Sequence, residues 1–207
     1  MIDDAVVITG MGAASALGTG LDAHRAALFE GRHGFRAVDR FDTRALTARL
    51  AATWPAWDGR VQPEPGRDRD LAATAAPFPL DELALVAARE AWANAGASGD
   101  RRRAALVLGT CFGHGFSEFS PVSERVAAGL EIEGACITIA TACAASTNAS
   151  GLASDLLMHG HADVVVAGGA HTLLRETFAG FSALGVLSAV PCAPFSEPAG
   201  TTLGEGA

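Results

Sequence analysis

The chain has no lysine, and all fifteen of its basic residues are arginine. That bias carries no mechanism of its own, but the shortage of positive charge does. Twenty-three acidic residues leave a net charge of −8. No basic stripe is available to displace counterions from a phosphate backbone, which argues against non-specific nucleic-acid binding. Long apolar runs are missing as well. Val164-Val165-Val166-Ala167 is a representative run, far short of the roughly 20 residues a membrane-spanning helix needs. Met1-Ile2-Asp3-Asp4 is acidic where a signal peptide would be basic. The expectation is a soluble, cytoplasmic protein. Cys-x-x-Cys spacing is also absent: the four cysteines stand at 111, 136, 143 and 192, so neither a zinc site nor a disulfide framework is indicated. No metal or other cofactor is expected, and the cysteines are read as reduced thiols.

What is present suffices for a core. Of 207 residues, 49% are hydrophobic and 18% charged, a globular balance. Val6-Val7-Ile8-Thr9-Gly10-Met11-Gly12 reads as a strand ending in glycines, followed by a helix over 22–30 that Gly31 stops. Gly10-x-Gly12 resembles the start of a dinucleotide fingerprint. The third glycine position is Ser15, however, and no strand with a terminal acid follows about twenty residues on, so the nucleotide reading fails. From about 32 to 79 the composition shifts to Arg, Asp, Pro and Gly with tryptophans at 54 and 57, which suggests a surface excursion, most mobile over 63–70. Leu83, Val86, Ala87 and Ala91 then recur on one helical face, with Asp81 as N-cap and Gly96 beyond the end, predicting a helix over 81–95.

Residues 104–109 read as a buried strand leading into the glycine-rich turn Thr110-Cys111-Phe112-Gly113-His114-Gly115. His114 is read there as a hydrogen-bonding turn residue rather than a catalytic one. Arg101-Arg102-Arg103 is read as a solvated loop. A short helix over 123–128, a strand over 136–141, a helix over 144–158 closed by His159-Gly160 and a strand over 162–170 complete the order. Apolar strands alternating with helices imply a mainly parallel sheet covered on both faces. The Ala- and Ser-rich helix after Cys143 is expected to lie sandwiched in the interior.

Cys143 falls where a strand hands over to a helix N-terminus. Unpaired N–H groups and the helix dipole there stabilise a thiolate and can hold an oxyanion. The position suits a nucleophile, but taken alone a cysteine in an alanine-rich apolar segment is read by default as a small buried hydrophobe.

Six segments in order decide between them. They are Val6-Val7-Ile8-Thr9-Gly10-Met11-Gly12, Arg40-Phe41-Asp42-Thr43, Thr138-Ile139-Ala140-Thr141-Ala142-Cys143-Ala144, Ala162-Asp163-Val164-Val165-Val166-Ala167-Gly168-Gly169-Ala170, Gly180-Phe181-Ser182-Ala183-Leu184 and Gly204-Glu205-Gly206-Ala207. Together they resemble the β-ketoacyl-acyl-carrier-protein synthases, the condensing enzymes of fatty-acid and polyketide synthesis. The resemblance implies one domain over 1–207, an α/β fold that is the N-terminal half of a thiolase-type αβαβα layered sandwich. It implies that Cys143 is acylated by a thioester from an acyl carrier protein, that malonyl carrier is decarboxylated, and that the resulting carbanion attacks the acyl-enzyme. It places Phe112 and Phe181 at the acyl pocket, where Phe112 would shorten the cavity and favour short primers, and it implies a dimer.

The family's two decarboxylating histidines, one in a His-Gly-Thr segment, belong to the second half of the fold. Histidines 24, 33, 114, 159, 161 and 171 do not fall on those positions. The span between Gly115 and Cys136 looks short, and Pro194-Phe195-Ser196-Glu197-Pro198-Ala199-Gly200 lacks the aspartates that usually follow Pro-Phe. Half of a layered sandwich would expose an apolar face, so the expectation is either a fragment of a longer protein or a chain that needs a complementary one. Two alternatives stay open: a non-condensing partner or scaffold subunit, against which the presence of Cys143 argues, and an acyltransferase that never decarboxylates.

Overall fold

The computed structural model describes residues 5–55, 79–97, 99–113, 120–197 and 200–207. In chain order, β1 (Ala14–Ser15) and β2 (Gly18–Thr19) make a minimal hairpin and α1 (Leu21–Phe29) follows. Next, β3 (Phe35–Ala37) and β4 (Leu50–Ala52) pair antiparallel. Then come α2 (Pro79–Asn94), β5 (Ala104–Gly109), α3 (Ser120–Gly129), β6 (Cys136–Ile139), α4 (Ala145–Met158), β7 (Val164–Gly169) and α5 (Arg175–Ala183). The last three strands form a parallel sheet in the order β6-β5-β7.

All six residues of the central strand β5 are buried, which is why it reads as an uninterrupted apolar run. Its alternation divides the core. Ala104, Leu106 and Leu108 pack with Leu80 and Ala84 of α2 and Val122 and Val126 of α3. Val107 faces the other way, into Ala149 and Ala153 of α4 with Ile137, Ile139 and Val165 beside them. The result is three layers, with α2 and α3 on one side of the sheet and α4 on the other.

The expected element order is present, with instructive differences. Residues 6–12 form no strand. Among the described residues none pairs its backbone with theirs, and Val7 and Ile8 are 68% and 84% exposed. The segment is held instead by its glycines, because a Cβ on Gly10 or Gly12 would lie 2.2 or 2.0 Å from the carbonyl oxygens of Ala91 and Ala87 in α2. The helix expected from 81 begins at Pro79, so Asp81 sits in its first turn rather than capping it. Asp81 is buried there and its Oδ2 accepts from Arg125 Nη1 of α3 at 2.5 Å. The excursion from 32 is not wholly superficial. Ala48, Ala51 and Trp54 are buried, the first two against Leu173 and Phe178. The stretch 63–70, expected to be most mobile, lies outside the described residues. Helix α4 is covered on one face only: Ala145, Ala149 and Ala153 are buried, four residues apart, while Ser146, Thr147, Ser150 and Gly151 are exposed.

The basic run 101–103 forms a single 3₁₀ turn whose charges are answered locally. Arg102 Nε donates to Asp100 at 3.1 Å, Arg103 donates to Asp163 at 2.5 Å, and Arg101 lies over the Trp92 ring at 4.3 Å.

One carboxylate ties the periphery to the sheet. Glu205, 5% exposed, accepts four hydrogen bonds: a pair from the Arg40 guanidinium, one from Trp54 N at 2.8 Å and one from Leu173 N at 2.9 Å. Two donors meet each oxygen, which fills the carboxylate's acceptor capacity. The neighbouring Gly206 exchanges backbone hydrogen bonds with His171 at 2.9 and 3.0 Å, and Ala207 does the same with Ala14. The segments around Arg40, His171 and Glu205, far apart in sequence, are thereby fixed beside the C-terminal end of β7.

Candidate active site

The C-terminal ends of β5, β6 and β7 converge on one cleft of about 180 Å³, lined by Gly109, Thr110, Cys111, Ala142, Cys143, Ala145, Ser146, Gly169, Ala170, His171 and Gly206. Crevices at the carboxyl ends of parallel strands are where open α/β sheets place their sites. Cys143 lies in the 3₁₀ turn Ala142–Ala144, which runs directly into α4. Its side chain is exposed, so the buried-hydrophobe reading of this cysteine fails.

The turn carrying it is strained. Ala142 has φ 53°, the left-handed region that a residue with a Cβ enters at a cost of about 1–2 kcal/mol. Such strain collects at functional sites, where the surrounding structure holds it in place. Here the restraint comes from both sides. Asn148 Nδ2 in the first turns of α4 donates to Thr141 Oγ1 at 2.7 Å. Behind the turn, a Cβ on Gly109 would lie 2.4 Å from the Ala145 carbonyl carbon, and one on Gly169 would lie 2.5 Å from Ser146 Cβ. Strands β5 and β7 thus end in glycine because the start of α4 rests on them. Among the described residues no acceptor takes the Cys143 N–H, which leaves it for a ligand.

The expected site residues separate. Phe112, in the turn after β5, does not line the cleft itself, but its ring meets that of the lining residue His171 edge-on with centroids 6.1 Å apart. Phe181 lies on α5 and is not among the residues lining the cleft. His114 lies outside the described residues. Two lining residues had no signal as site groups in the sequence. His171, passed over with the other histidines, is held neutral by burial, which pushes its pKa below the ordinary 6.5 against a smaller opposing pull from the Glu205 carboxylate. Cys111 is partly buried, and burial raises its thiol pKa, helped by the neighbouring Cys143.

The architecture and the cysteine at the head of α4 define a ketosynthase-like α/β chain. The family model "Beta-ketoacyl synthase, N-terminal domain" matches residues 3–124 and 117–207, and the chain belongs to this family. It is 30% identical over its whole length to nodulation protein E of Rhizobium sp. (strain N33), covering 57% of that protein. It is 28% identical over 88% of its length to 3-oxoacyl-[acyl-carrier-protein] synthase 2 of Rhizobium meliloti (strain 1021), covering 51% of it. Among solved structures, the ishigamide ketosynthase/chain length factor superposes with a TM-score of 0.77 at 28% identity, over 97% of this chain and 56% of that one. The chain therefore spans about half the length of the curated relatives it matches. None of the described helices is long and apolar enough to cross a membrane.

Proposed function

We propose that this chain supplies the acyl-accepting half of a condensing enzyme of fatty-acid or polyketide synthesis. The observation that carries the reading is the exposed Cys143 thiol at the head of α4, behind a strained left-handed Ala142 and inside a cleft. In this reading the Cys143 sulfur attacks the carbonyl carbon of an acyl-carrier thioester. The free Cys143 N–H donates to the oxyanion as the tetrahedral intermediate forms, and the positive end of the helix dipole faces the charge that develops there. The carrier thiol leaves, and the acyl group remains as a thioester on Cys143.

The second half-reaction, loss of carbon dioxide from a malonyl carrier and attack of its carbanion on the acyl group, needs a proton-handling pair that the described residues do not bring to the cleft. His171 is held neutral there, and the family resemblance assigns that work to two histidines of the second half of the fold. The volume agrees: about 180 Å³ is below the roughly 300–1,000 Å³ of a complete ligand pocket, as one wall of a shared site would be. The partners of this reading are an acyl carrier protein, the second half of the fold or a complementary chain, and a dimer mate. Phe112, whose ring meets that of the lining residue His171, would limit the cavity to short acyl primers.

The test is thiol acylation of the full-length protein by a short acyl thioester, followed by mass spectrometry. Label on Cys143, absent from Cys143→Ala, supports the reading. Label spread evenly over the four cysteines would sink it. With malonyl carrier added, release of carbon dioxide and a 3-ketoacyl product separates condensation from simple acyl transfer.

A further inference from the structure

The four cysteines are free, but two of them are not apart. Cys111 and Cys143 line the same cleft, and the Cys143 sulfur is near enough to raise the Cys111 thiol pKa. Their backbones are fixed relative to each other. Gly109 pairs with Ile139 across the β5–β6 ladder, Thr110 N donates to Ile139 O at 2.9 Å, and Gly109 touches the backbone of Ala145. Two short turns leaving one ladder therefore deliver both cysteines to the same cleft.

We propose that Cys111 is a resolving cysteine for Cys143, and that an oxidant of the peroxide class joins the two in a reversible disulfide that takes the nucleophile out of use. The Cys143 thiolate attacks one peroxide oxygen: an S–O bond forms, the O–O bond breaks, and Cys143 becomes a sulfenic acid as hydroxide leaves. Cys111 gives its proton to that hydroxide and its sulfur attacks the sulfenic sulfur, so an S–S bond forms, the S–O bond breaks, and the second oxygen departs as hydroxide, which the proton released when Cys143 ionised turns into the second water. Two thiols and one hydrogen peroxide become one disulfide and two waters. A dithiol restores both thiols by exchange.

The division of labour follows from the surroundings. Cys143 is exposed, whereas Cys111 is partly buried and its proton is retained by burial and by the neighbouring sulfur. Cys111 is thus the poorer first nucleophile and the placed second one. Without it, a sulfenic acid on Cys143 would go on to sulfinic and sulfonic acids, which a dithiol does not reverse. The cross-link itself does not depend on the proposed acyl transfer; only its effect on acylation rests on that reading.

The sequence makes the experiment tractable. Trypsin separates residues 104–125, with Cys111, from residues 126–175, with Cys136 and Cys143. The full-length protein is treated with hydrogen peroxide, its remaining thiols are alkylated, and it is digested without reductant. The expected result is a 104–125/126–175 cross-link that persists in Cys136→Ser and disappears with dithiothreitol. In Cys111→Ser, Cys143 is expected as sulfinic or sulfonic acid instead. A cross-link through Cys136, or Cys143 over-oxidised as fast in the wild type as in Cys111→Ser, would overturn the proposal. The wild-type mapping needs no variant, so a folding defect in Cys111→Ser cannot mask the answer. Acyl labelling of the same samples should be lost on oxidation and return on reduction. If reduced Cys143 takes no label at all, the proposed function fails while the cross-link still decides the latch.

Discussion

Replacing Glu205 by glutamine tests a buried carboxylate that accepts four hydrogen bonds. The substitution keeps shape and volume and changes one oxygen into an amide nitrogen. All four groups meeting Glu205 are donors: two guanidinium nitrogens of Arg40 and the N–H groups of Trp54 and Leu173. A glutamine must point its own NH₂ at two of them whichever way it flips, so half of the arrangement becomes donor against donor. The Arg40 and Glu205 side chains are only 11% and 2% exposed, so water cannot fill in. Removing one partner of a buried ion pair costs about 3–5 kcal/mol, and each buried N–H left unmet adds about 1–3 kcal/mol. Glu205→Ala should therefore lose about 4 kcal/mol or more, and Glu205→Gln at least about half of that. Against a typical total of about 5–15 kcal/mol, either is severe. Urea unfolding of the full-length protein followed by circular dichroism measures the difference. A Glu205→Gln variant within about 0.5 kcal/mol of wild type, the range of a neutral surface change, would refute the reasoning. Pairing it with Arg40→Leu should recover only part of the loss, because the two backbone N–H groups would still lack an acceptor.

Other outcomes follow from the site. Gly109→Ala, whose new methyl would collide with the Ala145 backbone, should lower acyl transfer to Cys143 by about 100-fold, the effect of an ångström-scale misplacement; stopped-flow thioester kinetics measure it. Ala142→Val, which puts a β-branched residue at φ 53°, should destabilise by about 1–3 kcal/mol, whereas Ala142→Gly should not destabilise, as thermal unfolding would show. Phe112→Ala should shift the preferred acyl thioester toward longer chains, and an unchanged chain-length profile would remove Phe112 from the pocket. Burial depresses the His171 pKa below 6.5 in the folded state. Below about pH 6.5 the unfolded chain takes up a proton that the folded one refuses, so the stability His171 contributes is present above that pH and is lost as pH falls. His171→Gln should flatten the stability profile on the acid side, read by urea midpoints across the pH range.

The sheet was legible because its strands carry their own instructions. The apolar run at 104–109 is the strand expected, and 136–139 and 164–169 fall within one or two residues of expectation. Cys143 was legible as the end of one period and the start of another. What stayed hidden depended on contact between distant segments. Residues 6–12 have a strand's composition, but a strand exists only beside a neighbour. Asp81 has an N-cap's composition and position, but Arg125 holds it inside the helix. The meeting of Cys111 with Cys143 is set by a ladder register, and no local pattern records that. Phe112 and Phe181 came from the same family resemblance, and neither lines the cleft; the turn after β5 carries Phe112 as far as the ring of the lining residue His171.

The rear of the nucleophile's turn is set by two missing side chains. Gly109 and Gly169 contribute hydrogen atoms where any other residue would contribute a carbon, so the Ala145 backbone rests on Gly109 and the Ser146 Cβ on Gly169. For redesign this divides the cleft into two parts. The part around His171, whose ring Phe112 meets, is made of side chains that can be exchanged to change what fits. The footing under Cys143 offers no such freedom, and a library that varies it samples mostly displaced nucleophiles.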